Sequence, residues 1–390
     1  VGGRRRWATV VALCIAVAIA VCGCGTITTE PTVRSTTEAR APKTSKVQGV
    51  PGSVELAAIA PGTADLMARI RATDPCSLLN REFAERLGTF QGFDRSPGAE
   101  RGGGWTGCGL IIAANDAPDA SYLVNVELDK VYTSDKRVGD TAEQVNGRIV
   151  FRGIGNDDAR PDASSCDYRI PVEDTGFAHG LTISKVSGPT KAPVPWSKPC
   201  QFTKDYLAAT IDNLMALRAR PTEPGPRSLV QRDPCAAEPQ ISTQFPGWEM
   251  SSVGWTKAYK CAITLVQTGG THRSTVEVSF EQSSEQMVKA GEILRLPSGL
   301  DGGQSIQYAR HMTLDGLTGI EIRSVQSTDP TRQNTSCGLT LNYRRADPPT
   351  ANNAHLVRVS LNLTPATPPF PFDACTQAAQ IAPTVIESIR

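Results

Sequence analysis

No surplus of either charge marks this chain: 40 lysines and arginines stand against 39 acids. So balanced a surface offers no electrostatic footing to nucleic acid or to an anionic bilayer, and nucleic acid is excluded as a partner. Histidine is scarce and scattered. His179, His272, His311 and His355 stand singly, and no Cys-x-x-Cys pair occurs, which excludes a zinc site of ordinary spacing. Isolated histidines of this kind read as surface residues. The sequence also lacks a G-x-S-x-G elbow, an H-E-x-x-H helix, a P-loop and an EF-hand loop. No catalytic residue, metal ligand or cofactor is therefore assigned, and the chain does not read as an enzyme. Gly102-Gly103-Gly104-Trp105-Thr106-Gly107 satisfies G-x-G-x-x-G by letter. It follows Ser96-Pro97-Gly98 rather than an apolar strand and opens no helical pattern, so it reads as a loop.

Cysteine, by contrast, is plentiful and ordered. Eight of the eleven form two sets, Cys76, Cys108, Cys166, Cys200 and Cys235, Cys261, Cys337, Cys375. Each set opens on Asp-Pro-Cys (Asp74-Pro75-Cys76, Asp233-Pro234-Cys235) and closes on a cysteine that leads into an apolar helical segment. The repetition predicts a duplicated, disulfide-bonded unit in an oxidising compartment.

The N-terminus agrees with that compartment. Arg4, Arg5 and Arg6 precede an apolar run from Trp7 to Val21, shorter than the roughly 20 residues a spanning helix prefers. Residues 1–23 have the layout of a signal peptide, and Val21-Cys22-Gly23-Cys24 resembles a bacterial lipobox. Cys24 is the expected lipid-attachment residue; Cys22, preceded by bulky Val21, is a poorer one, and Cys14 lies within the apolar run. An uncleaved signal anchor is the alternative. Residues 24–71 then read as a polar tether with a short helix within Val54–Ile70. About 30 flexible residues span roughly 30 Å.

Residues 72–219 form the first expected unit. Asp74 and Pro75 suit a helix start, Leu79, Phe83 and Leu87 recur at helical spacing, and Gly88 suits the stop. Tyr122, Val124, Val126 and Leu128 alternate as a half-buried strand, as do Cys166, Tyr168 and Ile170, then Leu181 and Ile183; Ile149–Phe151 is a further short strand. Phe202, Tyr206, Leu207, Ile211, Leu214 and Met215 make one helical face. Residues 220–230 are a proline-bearing linker, and 231–390 repeat the order. Strands centre on Val276, Val278 and Phe280, on Cys337, Leu339, Leu341 and Tyr343, and on Val357, Val359, Leu361 and Leu363. Pro239 shortens the first helix of this unit, and Pro383 kinks or delays its last. The expected fold is α+β: two tandem copies of an antiparallel sheet packed against helices, each copy held by two disulfides.

Four cysteines allow three pairings per unit. Separations of first to second (32 and 26) and third to fourth (34 and 38) vary little, whereas second to third goes from 58 to 76. Length varies most easily outside a covalent loop. That favours Cys76–Cys108, Cys166–Cys200, Cys235–Cys261 and Cys337–Cys375, with Trp105 and Trp255 beside the bridges.

The Asp-Pro-Cys openings, the tryptophans near a central cysteine, the Ser-Cys strands (Ser165-Cys166, Ser336-Cys337) and the closing cysteine helices resemble the domain-of-unknown-function 3558 family. The family's members are actinobacterial, often mycobacterial, cell-envelope lipoproteins with no established activity. The resemblance implies a protein anchored on the extracytoplasmic face of the cell membrane through its N-terminal lipid. It transfers no catalytic residue. The leading expectation is a non-catalytic binding or sensing module for an unknown small-molecule, lipid or protein partner. The alternatives are a scaffold lipoprotein of an envelope complex and an envelope hydrolase.

Overall fold

The computed structural model describes residues 62–94, 105–160, 162–172, 175–188, 190–220, 227–283, 293–297, 304–326, 334–345, 354–364 and 371–390. The apolar N-terminal run, Cys14, Cys22, Cys24 and residues 24–61 of the tether lie outside these residues, as do 101–104 of the glycine loop and 221–226 of the linker, whereas 63–71 belong to a helix that buries Leu66, Met67 and Ile70.

Period-two alternation builds two antiparallel sheets. The first holds β1 (Gly88–Asp94), β2 (Gly107–Ala114), β3 (Ala120–Val131), β4 (Thr141–Val145), β5 (Arg148–Arg152), β6 (Ser165–Val172) and β7 (Phe177–Ser187), with a short β8 (Ala192–Pro193) on β7. The second holds β9 (Trp248–Lys257), β10 (Lys260–Gln267), β11 (Arg273–Ser283), β12 (Ile293–Pro297), β13 (Gln304–Leu314), β14 (Leu317–Gln326), β15 (Asn334–Arg344) and β16 (Ala354–Thr364). Their strand orders are β1-β2-β3-β7-β6-β5-β4 and β9-β10-β11-β16-β15-β14-β13-β12. In each, a three-strand meander is joined by the last long strand of its half, β7 or β16, and the chain then reads backwards to the far edge. The expected apolar rows are the buried ones: Tyr122, Val124, Val126 and Leu128 in β3, and Val357, Val359, Leu361 and Leu363 in β16.

Two hairpins turn on the same device. Asn146-Gly147 joins β4 to β5 with φ of 48° and 78°, and Asp315-Gly316 joins β13 to β14 with φ of 51° and 77°. Both central residues of such a two-residue corner must be left-handed, which Asn-Gly and Asp-Gly tolerate best.

Helices are the minor part of a structure that is mostly sheet. They are α1 (Thr63–Ala72), α2 (Arg81–Ala84), α3 (Pro199–Ala216), α4 (Glu238–Ser242) and α5 (Ala374–Ser388). Helix α3 packs on β6 and β7, and α5 packs on β15 and β16. The single helix expected after Asp74 is broken in two: a 3-10 turn over Pro75–Leu78, then α2. Asn80 is the cause. Its side chain caps Phe83 N at 2.9 Å while its own N–H donates to Tyr206 Oη at 2.8 Å, and Leu79 between the two elements is extended. Gly88 is no helix stop; it opens β1, where a Cβ would fall 1.7 Å from the Ala113 carbonyl oxygen. Pro239 sits in the first turn of α4 instead of ending it, and α5 runs through Pro383 without interruption.

The bridges are Cys76–Cys108, Cys166–Cys200, Cys235–Cys261 and Cys337–Cys375. Each fastens a helix start or a turn to a strand. The core they surround is continuous, running from Leu66 of α1 through both sheets to Ile389.

Candidate functional site

An open cleft of about 710 Å³ lies between α5 and the β13–β14 hairpin, lined by Ala309, Arg310, Glu321, Arg323, Asp373, Cys375, Thr376, Ala379 and Gln380. Its two arginines are each tied to an acid. Arg310 Nη2 donates to Glu321 Oε2 at 2.7 Å across the hairpin, and Arg323 donates to Asp373. Asp373 is also the cap of α5, accepting from Thr376 N at 2.9 Å and Thr376 Oγ1 at 3.1 Å. Burial raises the Asp373 pKa, but the Thr376 amide, the Arg323 charge and further hydrogen bonds outweigh it and hold the carboxyl below the usual range. Glu321 lies deeper, its side chain 10% exposed against 72% for Arg310. A Glu321 oxygen and the sulfurs of Cys337 and Cys375 lie within 4.8 Å of one another. Both sulfurs are oxidised in the bridge, so this trio offers a metal no thiolate.

A second polar cluster lies at the junction of the two sheets, buried at its centre and open at its rim, where the Asp233 and Glu127 side chains are 35% and 41% exposed. Arg71 of α1, 5% exposed, donates to the Ala258 carbonyl at 3.0 Å and pairs with Asp233 at 3.3 Å. Ala258 N donates to Asp129 Oδ2 at 2.8 Å, and Lys257 pairs with Glu127 at 3.1 Å. Leu229 N donates to His355 Nδ1 at 3.1 Å, and Trp105 lies edge-on to both Tyr259 and His355 at 4.9 Å. Burial pushes the Asp129 carboxyl up and pulls His355 down to about 4. His179 Nδ1 donates to the Leu128 carbonyl oxygen at 2.7 Å, and burial brings this imidazole down to about 4 as well.

Two of the histidines therefore correct the surface reading. His179 is a residue of β7, paired between β3 and β6, not of a loop, and His355 opens β16; both are buried. A central strand buries even a polar side chain when a backbone partner satisfies it. His311 is exposed, and His272 Nδ1 meets Gln267 Oε1 at 2.9 Å. Asp74 and Asp233 do the same local work, accepting from Cys76 N at 3.1 Å and Cys235 N at 2.9 Å. Trp105 belongs to the junction, whereas Trp255 stands opposite Cys261 and donates to Asp233 at 2.8 Å. Trp105, Thr106 and Gly107 lead directly into β2, which leaves the literal G-x-G-x-x-G without a helix to present phosphate. The cleft residues Arg310, Glu321, Arg323, Asp373 and Ala379 carry no sequence motif. The readable signal was the Asp315-Gly316 corner, which places the hairpin that holds three of them.

A family model described as "Protein of unknown function (DUF3558)" matches residues 19–213, half of the chain. The chain belongs to the DUF3558 family. That membership fixes no activity, because the family's function is itself unknown. No curated protein matches this DUF3558 chain. The crystal structure of the di-domain ARO/CYC StfQ from the steffimycin biosynthetic pathway aligns over 85% of this chain and 94% of its own at 8% identity and a TM-score of 0.15. A score that low carries no argument about fold or function.

Proposed function

We propose that this DUF3558 protein is a lipid-anchored extracytoplasmic lipoprotein that acts as a non-catalytic binding module, with the cleft beside α5 as its seat. The observation that carries the reading is the open cleft itself, a charged recess set against a disulfide in a scaffold cross-linked four times. Four bridges suit a compartment outside the cytoplasm. The basic and apolar N-terminal run and the lipobox-like Val21–Cys24 supply the anchor, with Cys24 as the acylated residue. The charged groups lining the recess are bound to one another, which suits recognition better than proton transfer. The partner is a small molecule, a lipid or a protein.

The two halves are read as tandem copies of one unit. The shared strand order, the Asp-Pro-Cys turns and the matching bridges support that reading. An actinobacterial envelope is the proposed setting. A second reading, a scaffold lipoprotein of an envelope complex, draws on Val138, Ile149 and Ile154, large apolar side chains 66–80% exposed around the β4–β5 hairpin.

Purifying the native protein from membranes and identifying what accompanies it tests the binding reading. A ligand that photo-cross-links to α5 or β14 is the expected result, and a consistently empty cleft overturns it. Metabolic labelling with a clickable fatty acid tests the anchor: Cys24→Ala should abolish the label, and persistent labelling removes Cys24 from the argument.

A further inference from the structure

The corners of the two hairpins put them in register. Counting outward from Asn146-Gly147 and from Asp315-Gly316 sets Thr141 against Arg310, Glu143 against Met312, and Arg152 against Glu321. Counting along the long helices from the bridged cysteines, Cys200 and Cys375, sets Lys204 against Ala379. In the first half these positions form a closed ion cluster that ties helix to sheet. Glu143 receives Lys204 Nζ at 2.7 Å and Arg152 Nε at 2.8 Å, and its side chain is 17% exposed. Burial alone would raise the Glu143 pKa, yet the two cations outweigh it and hold the carboxyl low.

In the second half the acid has crossed to the neighbouring strand, and the helix-borne cation is missing. Met312 occupies the place of Glu143 and packs against the core. Glu321 is the deep carboxylate, and its cation, Arg310, comes from the sheet and stands largely in solvent. Where α3 sends Lys204 across the gap, α5 offers only the methyl group of Ala379, and the cleft opens at that place.

We infer that the cleft is a seat for a primary alkylammonium group supplied from outside the chain, which sits beside Glu321 as Lys204 sits beside Glu143. This rests on the binding-module reading and names its ligand chemistry. An ammonium on a methylene stem matches the recess in both parts. The stem lies along Ala379 and the cystine, and the head gives its three N–H donors to Glu321 and to the polar rim. A deep carboxylate gains most from a second fixed cation. An anion matches poorly, since both arginines already hold carboxylates and the incoming charge would face Glu321 and Asp373. A free amine and a lysine side chain of a partner polypeptide present the same group.

The full chain is titrated by calorimetry with Nα-acetyl-lysine amide, with the norleucine analogue as the apolar control, and with an extended tripeptide centred on lysine. One saturable site per chain is expected for lysine and none for norleucine. Glu321→Gln should weaken the lysine compound at least tenfold. Ala379→Lys, which brings its own ammonium, should abolish binding and raise the melting temperature. Tighter binding of the tripeptide assigns the group to a polypeptide, and equal binding assigns it to a small amine. Equal affinity for lysine and norleucine, or lysine binding indifferent to Ala379→Lys, overturns the inference. A native ligand that cross-links in the cleft but carries no amine overturns the inference alone and leaves the binding module standing. A cleft with no occupant overturns both.

Discussion

Glu143 and Glu321 show how a single side chain decides whether a gap between helix and sheet is filled. The same scale governs the pH response, because the buried titratable groups pull in opposite directions. His179 and His355 are neutral in the folded chain down to about pH 4, against an ordinary 6.5. Between those values the unfolded chain binds more protons than the folded one. Stability is therefore present above pH 6.5 and lost as pH falls towards 4, at roughly 3 kcal/mol for a fully titrated buried imidazole. Thermal unfolding followed from pH 7 to 4 should show this loss, and His179→Gln should flatten it. Asp129 acts the other way. Its raised carboxyl favours the fold at low pH, and that contribution is lost as pH rises through the folded value. Asp129→Asn keeps an acceptor for Ala258 N and removes the buried charge. It should melt higher than the parent at pH 7, with the gap closing near pH 4.

Among the elements, the long helices matter most, and each is held at its first turn by sulfur. The Cys166–Cys200 bridge closes a loop of 34 residues and fastens α3 to β6. Replacing both cysteines by serine should cost about 4 kcal/mol in denaturant unfolding on the chain-entropy picture. Replacing the Cys337 and Cys375 pair should cost a similar amount and widen the cleft, because α5 would lose its tie to β15 beside Glu321. Elements were also where local rules and tertiary demands parted. Leu79, Phe83 and Leu87 repeat at helical spacing, yet Asn80 offers its side chain to Phe83 N and the helix restarts there. Gly88 and Pro239 likewise took roles set by a neighbour, the Ala113 carbonyl in one case and a helix first turn in the other.

Viewed whole, the described chain from α1 onward has one main core that spans both sheets, and the junction joins the sheets through Arg71, Asp129, Ala258, Tyr259 and Trp105. Calorimetry should show a single cooperative transition for both halves, since neither can open without exposing the other's apolar surface. Arg71→Ala strips Asp233 and the Ala258 carbonyl of a buried cation and should cost about 3 kcal/mol. If it instead splits the transition in two, Arg71 is the link that couples the halves.

Apolar alternation in β3, β6, β11, β15 and β16, the Asp-Pro-Cys turns and the conservative spacing of paired cysteines are local properties, and they sufficed to indicate those strands, the long helices and the bridges, but not β1, β2, β9, β10 or the β13–β14 hairpin. The strand order, the burial of His179 and His355, the docking of α1 between the halves and the cleft beside Glu321 were not legible. Each depends on which distant segments meet: Lys204 and Ala379 differ by one side chain, but only a helix laid across a hairpin turns that difference into a closed ion cluster or an open recess. The sequence determines what each segment can bury, whereas tertiary packing determines what each buried charge has for company.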